Sequence, residues 1–282
     1  MSDRPLVAAL TDYGAGPYRA LLEASARYPH APHLQWLDVD HRIALGDIRG
    51  GALTLRRTVP HLPPCVTVAV VDPGVGTHRR AVAVATASGH QFVGPDNGLL
   101  EPAVRRLGGP VTVVDLDASP WRTPSTMRTF DGRALFGPVA GALAAGVALT
   151  DLGEAAEPSS LVALAIPAPT ETVDGLAATV LEVDEFGTVV LALDDHIAHL
   201  PHLLRIGEAG TVTSSGQRCE LRVGATFADV PTGELVLYLD SDGALALARR
   251  DGSAATHLHV AAGDALLIAL DGDRATNEPQ AA

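Results

Sequence analysis

Cysteine is nearly missing from this chain of 282 residues, which holds only Cys65 and Cys219. The two lie far apart and fit no zinc or redox spacing, which excludes a disulfide scaffold, a zinc ribbon and a Cys-x-x-Cys redox centre. Positive charge is also short. Lys and Arg number 20 against 33 Asp and Glu, for a formal net charge of −13. A nucleic-acid partner needs a basic footprint, so this balance excludes one and favours cationic ligands over anionic ones. No apolar run is long enough for a membrane span. The longest uncharged stretch, 134–150, is Ala- and Gly-rich and reads as a buried helix. Before Asp12 only Leu6 to Leu10 are apolar, so signal-peptide anatomy is lacking and a cytoplasmic protein is expected. Gly74-Val75-Gly76 lacks the Gly-Lys-Ser/Thr end of a phosphate loop. The pairs His199/His202 and His257/His259 lack a third ligand at metal spacing, so no metal is expected. No internal repeat is visible.

What the chain has is ample apolar material, 47% of its residues. That suffices for one large domain or two ordinary ones. Val66 to Val71 form an unbroken apolar or β-branched run, too short for a typical helix, which predicts a strand buried on both faces. It ends at Asp72 and a Pro73-Gly74 turn. In an open α/β sheet the carboxyl ends of such strands open onto the ligand crevice. Arg79 follows where the loop can turn it back on Asp72; such a pair is also an ordinary turn staple.

Similar strands are expected at Leu6–Leu10, ending in Thr11-Asp12-Tyr13-Gly14, and at Leu34–Val39. Others are expected at Ala81–Thr86, Gln91–Val93 and Val111–Val114. Helical stretches run from Tyr18 to Tyr28, Asp47 to Val59, Leu99 to Leu107 and Gly132 to Ala145. Asp12 is equally well placed to cap a helix. This alternation predicts an α/β domain over 1–153, a mostly parallel sheet with helices on both faces. Prolines 158, 167 and 169 mark a linker over 154–172. Short strands punctuated by turns over 173–270 predict a mainly antiparallel β domain. Its strands are expected at 176–183, 188–193, 210–214, 218–223, 235–239 and 244–248. Residues 271–282 read as a disordered tail.

Several motifs fall in one order along the chain. They are Thr11-Asp12-Tyr13-Gly14, Val71-Asp72-Pro73-Gly74-Val75-Gly76-Thr77, Gly94-Pro95-Asp96-Asn97-Gly98 and Thr129-Phe130-Asp131-Gly132-Arg133. Asp184-Glu185-Phe186-Gly187, Phe227-Ala228-Asp229-Val230-Pro231 and Ser241-Asp242-Gly243 follow. As an ordered set they resemble the S-adenosylmethionine (SAM) hydroxide adenosyltransferases, or SAM hydrolases, relatives of the bacterial fluorinase and chlorinase. The resemblance spans about Leu6 to Leu270.

The resemblance implies attack by water or hydroxide on the ribose C5′ of SAM, giving adenosine and L-methionine. No cofactor takes part, since SAM is the substrate. It also implies a homotrimer with active sites between subunits. Asp72, Arg79 and Asp131 fall at the water-positioning set. Asp12 falls at the ribose ligand, and Thr129 and Phe130 lie beside the substrate. Asp184 matches the acid that holds the methionine ammonium, and Phe186 packs on the ligand. Thr188 stands at the adenine-contacting position, and Ser241 and Asp242 meet the methionine carboxylate.

The chain departs from that pattern in places. Thr-Phe-His-Gly-Arg-Asp of the hydrolases is here Thr-Phe-Asp131-Gly-Arg-Ala134. Two family asparagines are Thr188 and Ala192. Between Arg79 and Gly94 the extra loop of the halogenases is missing, which favours water over halide. Two alternatives stay open from sequence: a SAM- or adenosine-binding protein without turnover, and a relative using another nucleophile such as halide.

Overall fold

A computed structural model describes residues 4–124, 129–197 and 204–271. His199, His202 and all of the expected tail except Asp271 lie outside these residues. The chain divides into two compact units, Met1–Leu164 and Ala165–Ala282.

The first unit is built on seven strands, β1 (Leu6–Thr11), β2 (Gln35–Asp40), β3 (Val66–Val70), β4 (Ala81–Thr86), β5 (Gln91–Pro95), β6 (Pro110–Asp115) and β7 (Glu154–Ala156). They lie in the order β2-β1-β3-β5-β4-β6-β7. The half containing β2, β1, β3 and β5 is parallel. The tight turn at Ser88-Gly89 makes β4 and β5 an antiparallel hairpin, and β6 and β7 continue antiparallel. Helices α1 (Pro17–Arg27), α2 (Ile48–Thr58), α3 (Glu101–Arg106) and α4 (Gly137–Ala144) cover it.

Strand side chains alternate between two cores. Val66, Val68 and Val70 of β3 join Leu22 and Ala26 of α1 and Val139 and Ala140 of α4. Ala69 and Val71 join Ala52 and Leu55 of α2 and Ala103 of α3 on the other face. Both faces of β3 are thereby dry, which is why its sequence is apolar without alternation. Glycine lets α1 and α4 touch: a Cβ on Gly141 would lie 2.0 Å from the Ala26 carbonyl oxygen.

Two expectations change here. The first turn of the helix expected at 132–145 is a wider π-helical turn, Gly132–Phe136, before α4 begins. The stretch 154–172, expected as a linker, is structured at both ends. Residues 154–156 form β7, and Asp96, buried and paired with Arg80, accepts from the Val162 backbone at 2.8 Å.

The second unit holds β8 (Thr170–Thr172), β9 (Gly175–Thr179), β10 (Glu182–Val183), β11 (Val189–Ala192), β12 (Ala209–Ser214), β13 (Gln217–Val223), β14 (Leu235–Leu239), β15 (Leu245–Arg249) and β16 (Ala265–Leu270). Short helices α5 (Asp194–Ile197) and α6 (Ala254–Leu258) complete it. Its nine-stranded sheet runs β10-β11-β15-β14-β13-β12-β16-β9-β8. Among the described residues its one parallel pair is β13 with β14. The run expected as one strand over 176–183 is two. Val180 bonds to Asp264 and Leu181 to Val190, so the chain leaves one neighbour strand and joins another between them. The interior strand β16 is rich in Ala and Leu, which carry little strand propensity, and sequence reading passes over it.

Candidate active site

The carboxyl ends of β1 and β3 are neighbours, with Thr11 opposite Val70. Asp12 and Asp72 therefore both follow the ends of neighbouring strands, at the crevice end of the sheet. Asn97, from the turn after β5, donates to the Val71 carbonyl at 2.9 Å and braces the backbone next to Asp72.

The loop after β3 returns Arg79 onto Asp72. Its Nε lies 3.0 Å from both carboxylate oxygens, and its Nη2 also bonds Asp72 Oδ2. The same Nη2 donates to Asp131 Oδ2 at 2.8 Å. Asp131 stands immediately before the π-helical turn, a local widening that often marks functional positions. Its second oxygen, Oδ1, accepts from Arg122 Nη1 at 2.6 Å. The result is a row of alternating charge, Asp72, Arg79, Asp131, Arg122, with no formal net charge. The side chains of Asp72, Arg79 and Asp131 are 5, 11 and 8% exposed. Burial works against the charge on Arg79, but the hydrogen bonds and fields of Asp72 and Asp131 outweigh it and hold its pKa above the ordinary value. Beneath the guanidinium lies the ring of Phe136, 5.4 Å from Cζ to centroid.

Tyr13 closes the cluster. Burial first, and then the carboxylates of Asp12, Asp72 and Asp131, push its phenol far above its usual pKa, so it stays a neutral donor. Its hydroxyl fits only because residue 132 is glycine: a Cβ there would sit 2.2 Å from it. Tyr13, Tyr18 and Phe130 form an aromatic group with centroids 5.2 to 6.2 Å apart, Phe130 meeting both tyrosines edge-on. Thr129 is exposed beside it.

Asp12 is held by the segment between β2 and α2. Its Oδ2 accepts from the Gly46 backbone at 2.9 Å, and the Tyr13 backbone donates to Thr11 Oγ1 at 3.1 Å. Thr11 Oγ1 meets His41 Nδ1 at 2.8 Å, and His41 Nε2 meets Asp38 Oδ1 at 2.9 Å. Asp38 can only accept, so Nε2 carries the proton toward it.

In the second unit, Asp184, Phe186 and Thr188 share the turn from β10 to β11. Asp184 Oδ1 accepts from the Phe186 and Thr188 backbones at 2.9 and 2.7 Å. Thr188 is buried, whereas Phe186 is 78% exposed, a large apolar ring turned to solvent in the chain by itself. Ser241 and Asp242 lie elsewhere. They occupy the turn before β15, whose backbone bonds to Asp240 Oδ1 at 2.9 and 2.8 Å. Val189 pairs with Leu247 and Ala192 with Leu245, so the two turns lie at opposite ends of β11. The strand rise puts on the order of 10 Å between them.

Two groups escaped the sequence reading, Arg122 and the His41–Asp38 pair. Arg122 carried no motif signal beyond being an arginine in a Pro-bounded loop near Asp131. Among the described residues no three His, Cys, Asp or Glu converge as a metal site, and no helix is long and apolar enough to cross a membrane.

Known proteins resemble this chain along nearly its whole length. A curated protein of Salinispora tropica named (R)-S-adenosyl-L-methionine hydrolase is 43% identical over 271 residues, 95% of this chain and 99% of its own. A protein of the same name from Thermus thermophilus is 37% identical over 87% of this chain and 92% of its own. The crystal structure of an uncharacterized conserved protein from Thermotoga maritima superposes with a TM-score of 0.83 at 28% identity, covering 93% of this chain and 99% of that one. A conserved hypothetical protein from Thermus thermophilus gives 0.72 at 35% identity, covering 94% and 99%. The model of the SAM hydroxide adenosyltransferase N-terminal domain matches residues 7–153 and that of the C-terminal domain matches 178–267, so the chain belongs to the SAM hydroxide adenosyltransferase family.

Proposed function

We propose that this protein hydrolyses S-adenosyl-L-methionine to adenosine and L-methionine, and that it takes the R epimer at sulfur named in its curated relatives. The observation that carries this reading is the buried Asp72–Arg79–Asp131 row at the carboxyl end of β3, in a family-matched chain. In the reaction a C5′–O bond forms as the C5′–S bond breaks. The bonding pair leaves with sulfur, which turns from sulfonium to neutral thioether, and the attacking water gives up a proton. The leaving group needs no acid. The protein's part is to hold water in line with C5′–S and to exclude other water, which is mostly proximity and orientation.

In this reading Asp72, Arg79 and Asp131 fix the water, and Asp12 receives the ribose hydroxyls. Thr129 and Phe130 flank the nucleoside, and Phe186 and Thr188 pack on the adenosyl moiety. Asp184 holds the methionine ammonium, and Ser241 and Asp242 the carboxylate. The test is incubation with SAM in ¹⁸O-water, followed by mass spectrometry. Methionine and adenosine carrying the heavy oxygen at the 5′ hydroxyl are expected, faster from the R than from the S epimer. Binding without products, or unlabelled adenosine, would refute hydrolysis at C5′.

We also propose a homotrimer whose sites combine the two kinds of unit from neighbouring subunits. The exposed Phe186 ring and the division of the site residues between two units support it. Light scattering at micromolar concentration is expected to give three times the chain mass; a monomer alone would rule out shared sites.

Asp12→Ala is expected to weaken adenosine and SAM alike. A hydrogen bond to a charged group contributes about 1.5–3 kcal/mol, which predicts a loss of roughly tenfold to 150-fold in both affinities. Asp12 also holds Gly46, so melting is followed alongside. Unchanged affinity for both ligands by calorimetry would remove Asp12 from the ribose site.

A further inference from the structure

We propose that Arg122 is a positioning residue of the reaction, acting through Asp131 to keep Arg79 and Asp72 in register; this rests on the hydrolase reading above.

The loop that carries Arg122 is pinned on both sides of it. Ser119 accepts from the Arg122 backbone at 3.2 Å, and its hydroxyl accepts from the Trp121 backbone at 3.3 Å. The Trp121 ring packs on the core and meets the His30 ring edge-on at 4.7 Å. The Thr123 backbone donates to the Ala134 carbonyl at 2.8 Å, in the π-helical turn that follows Asp131. Between these anchors the guanidinium reaches Asp131 with a single bond of 2.6 Å. It is 32% exposed, so filling a core is not its contribution.

Asp131 brings a second buried carboxylate to a place where Arg79 already serves Asp72. Arg79 gives Asp131 only Nη2, and that nitrogen also bonds Asp72. One fork cannot fix two carboxylates, because among the described residues Asp131 Oδ1 then has no donor and the group can turn about its Cβ–Cγ bond. Arg122 supplies that donor and the balancing charge. Remove it, and the row gains a net negative charge and loses the contact that sets the Asp131 plane. Arg79 Nη2 then follows whichever carboxylate it holds better, and the water site moves with it. A displacement of this size acts on the reaction step rather than on binding.

The experiment measures kcat and KM for SAM hydrolysis, with melting temperature, in Arg122→Met and Arg122→Lys, each alone and combined with Asp131→His. Arg122→Met is expected to lower kcat by about tenfold or more with KM within about threefold. Arg122→Lys, which keeps the cation, recovers most of kcat. In the Asp131→His background no buried carboxylate calls for a second cation, so Arg122→Met changes kcat by less than about twofold there. Wild-type kcat in Arg122→Met, or equal losses in both backgrounds, overturns the proposal. If Asp131→His gives no turnover, equal losses from the Met and Lys variants overturn it. Absence of turnover in the unaltered protein fails the hydrolase reading instead, and with it any role in that reaction.

Discussion

Arg79→Ala is expected to abolish measurable turnover and to destabilise the first unit by about 3–5 kcal/mol, the cost of leaving buried carboxylates unpaired. Both losses have one cause. Asp72 and Asp131 are 5 and 8% exposed and share this guanidinium, so its removal leaves two buried anions with, among the described residues, one arginine, Arg122, to answer one of them. The lost positioning carries a further expected factor of about 10²-fold or more on the chemical step. Arg79→Lys separates the two effects. It restores charge without the planar fork, and an ammonium cannot span Asp72 and Asp131 as Nε and Nη2 do. Part of the stability returns and turnover does not. Denaturant unfolding and single-turnover rates of the three proteins make the comparison. An alanine variant with near-wild-type melting and rate would show that the row is a surface staple. Because its bonds to Asp72 and Asp131 hold Arg79 charged, it contributes no rate transition near neutral pH.

The same row shows where sequence reading reaches and where it stops. Asp72 is legible because a strand buried on both faces must be apolar throughout, and the first carboxylate after it stands at the crevice. Arg79 is legible because a short loop joins it to that end. Asp131 was legible only through the order of motifs, and its contact with Arg79 spans 52 positions, beyond any local rule. Arg122 was not legible, since a loop arginine has no periodic signature and its partner is chosen by tertiary pinning at Trp121 and Thr123. The π-helical turn was hidden too, because Gly132-Arg-Ala-Leu-Phe136 has the composition of an ordinary helix start.

In the second unit the turns themselves were legible from Asp184-Glu-Phe-Gly and Ser241-Asp-Gly. Their separation was not, because it is a property of strand register. Val189 opposite Leu247 is what sends one turn to each end of β11. The run 154–172 misled for a physical reason: prolines mark it as non-helical, yet Glu154–Ala156 needs only an exposed sheet edge on β6 to become a strand. Asp96, with its side chain almost wholly buried, then ties the following segment down through Arg80 and Val162.

Asp131→Asn is expected to lower turnover by about 10²-fold while SAM affinity stays within about threefold. The amide presents one acceptor where the carboxylate presented two, and its NH₂ group faces a guanidinium on whichever side it is turned. Arg79 then loses its second anchor but keeps Asp72, so the substrate surface changes little and the water site changes much. Asp131→His is the informative partner, because an imidazole supplies an acceptor when neutral and loses it when protonated. Its ordinary pKa is about 6.5, and two flanking guanidiniums oppose a third positive charge, which moves the transition to lower pH. The variant is therefore expected to react on the alkaline side of that transition and to lose rate below it. Single-turnover rates from about pH 5 to about pH 9 for the parent and both variants, with affinities measured in parallel, test this. If Asp131→Asn reacts as fast as the parent at every pH, Asp131 neither positions nor activates the water, and Asp72 with Arg79 carries the reaction. If Asp131→His reacts with no loss of rate at low pH, the group at 131 acts as a spacer between two arginines and its proton plays no part.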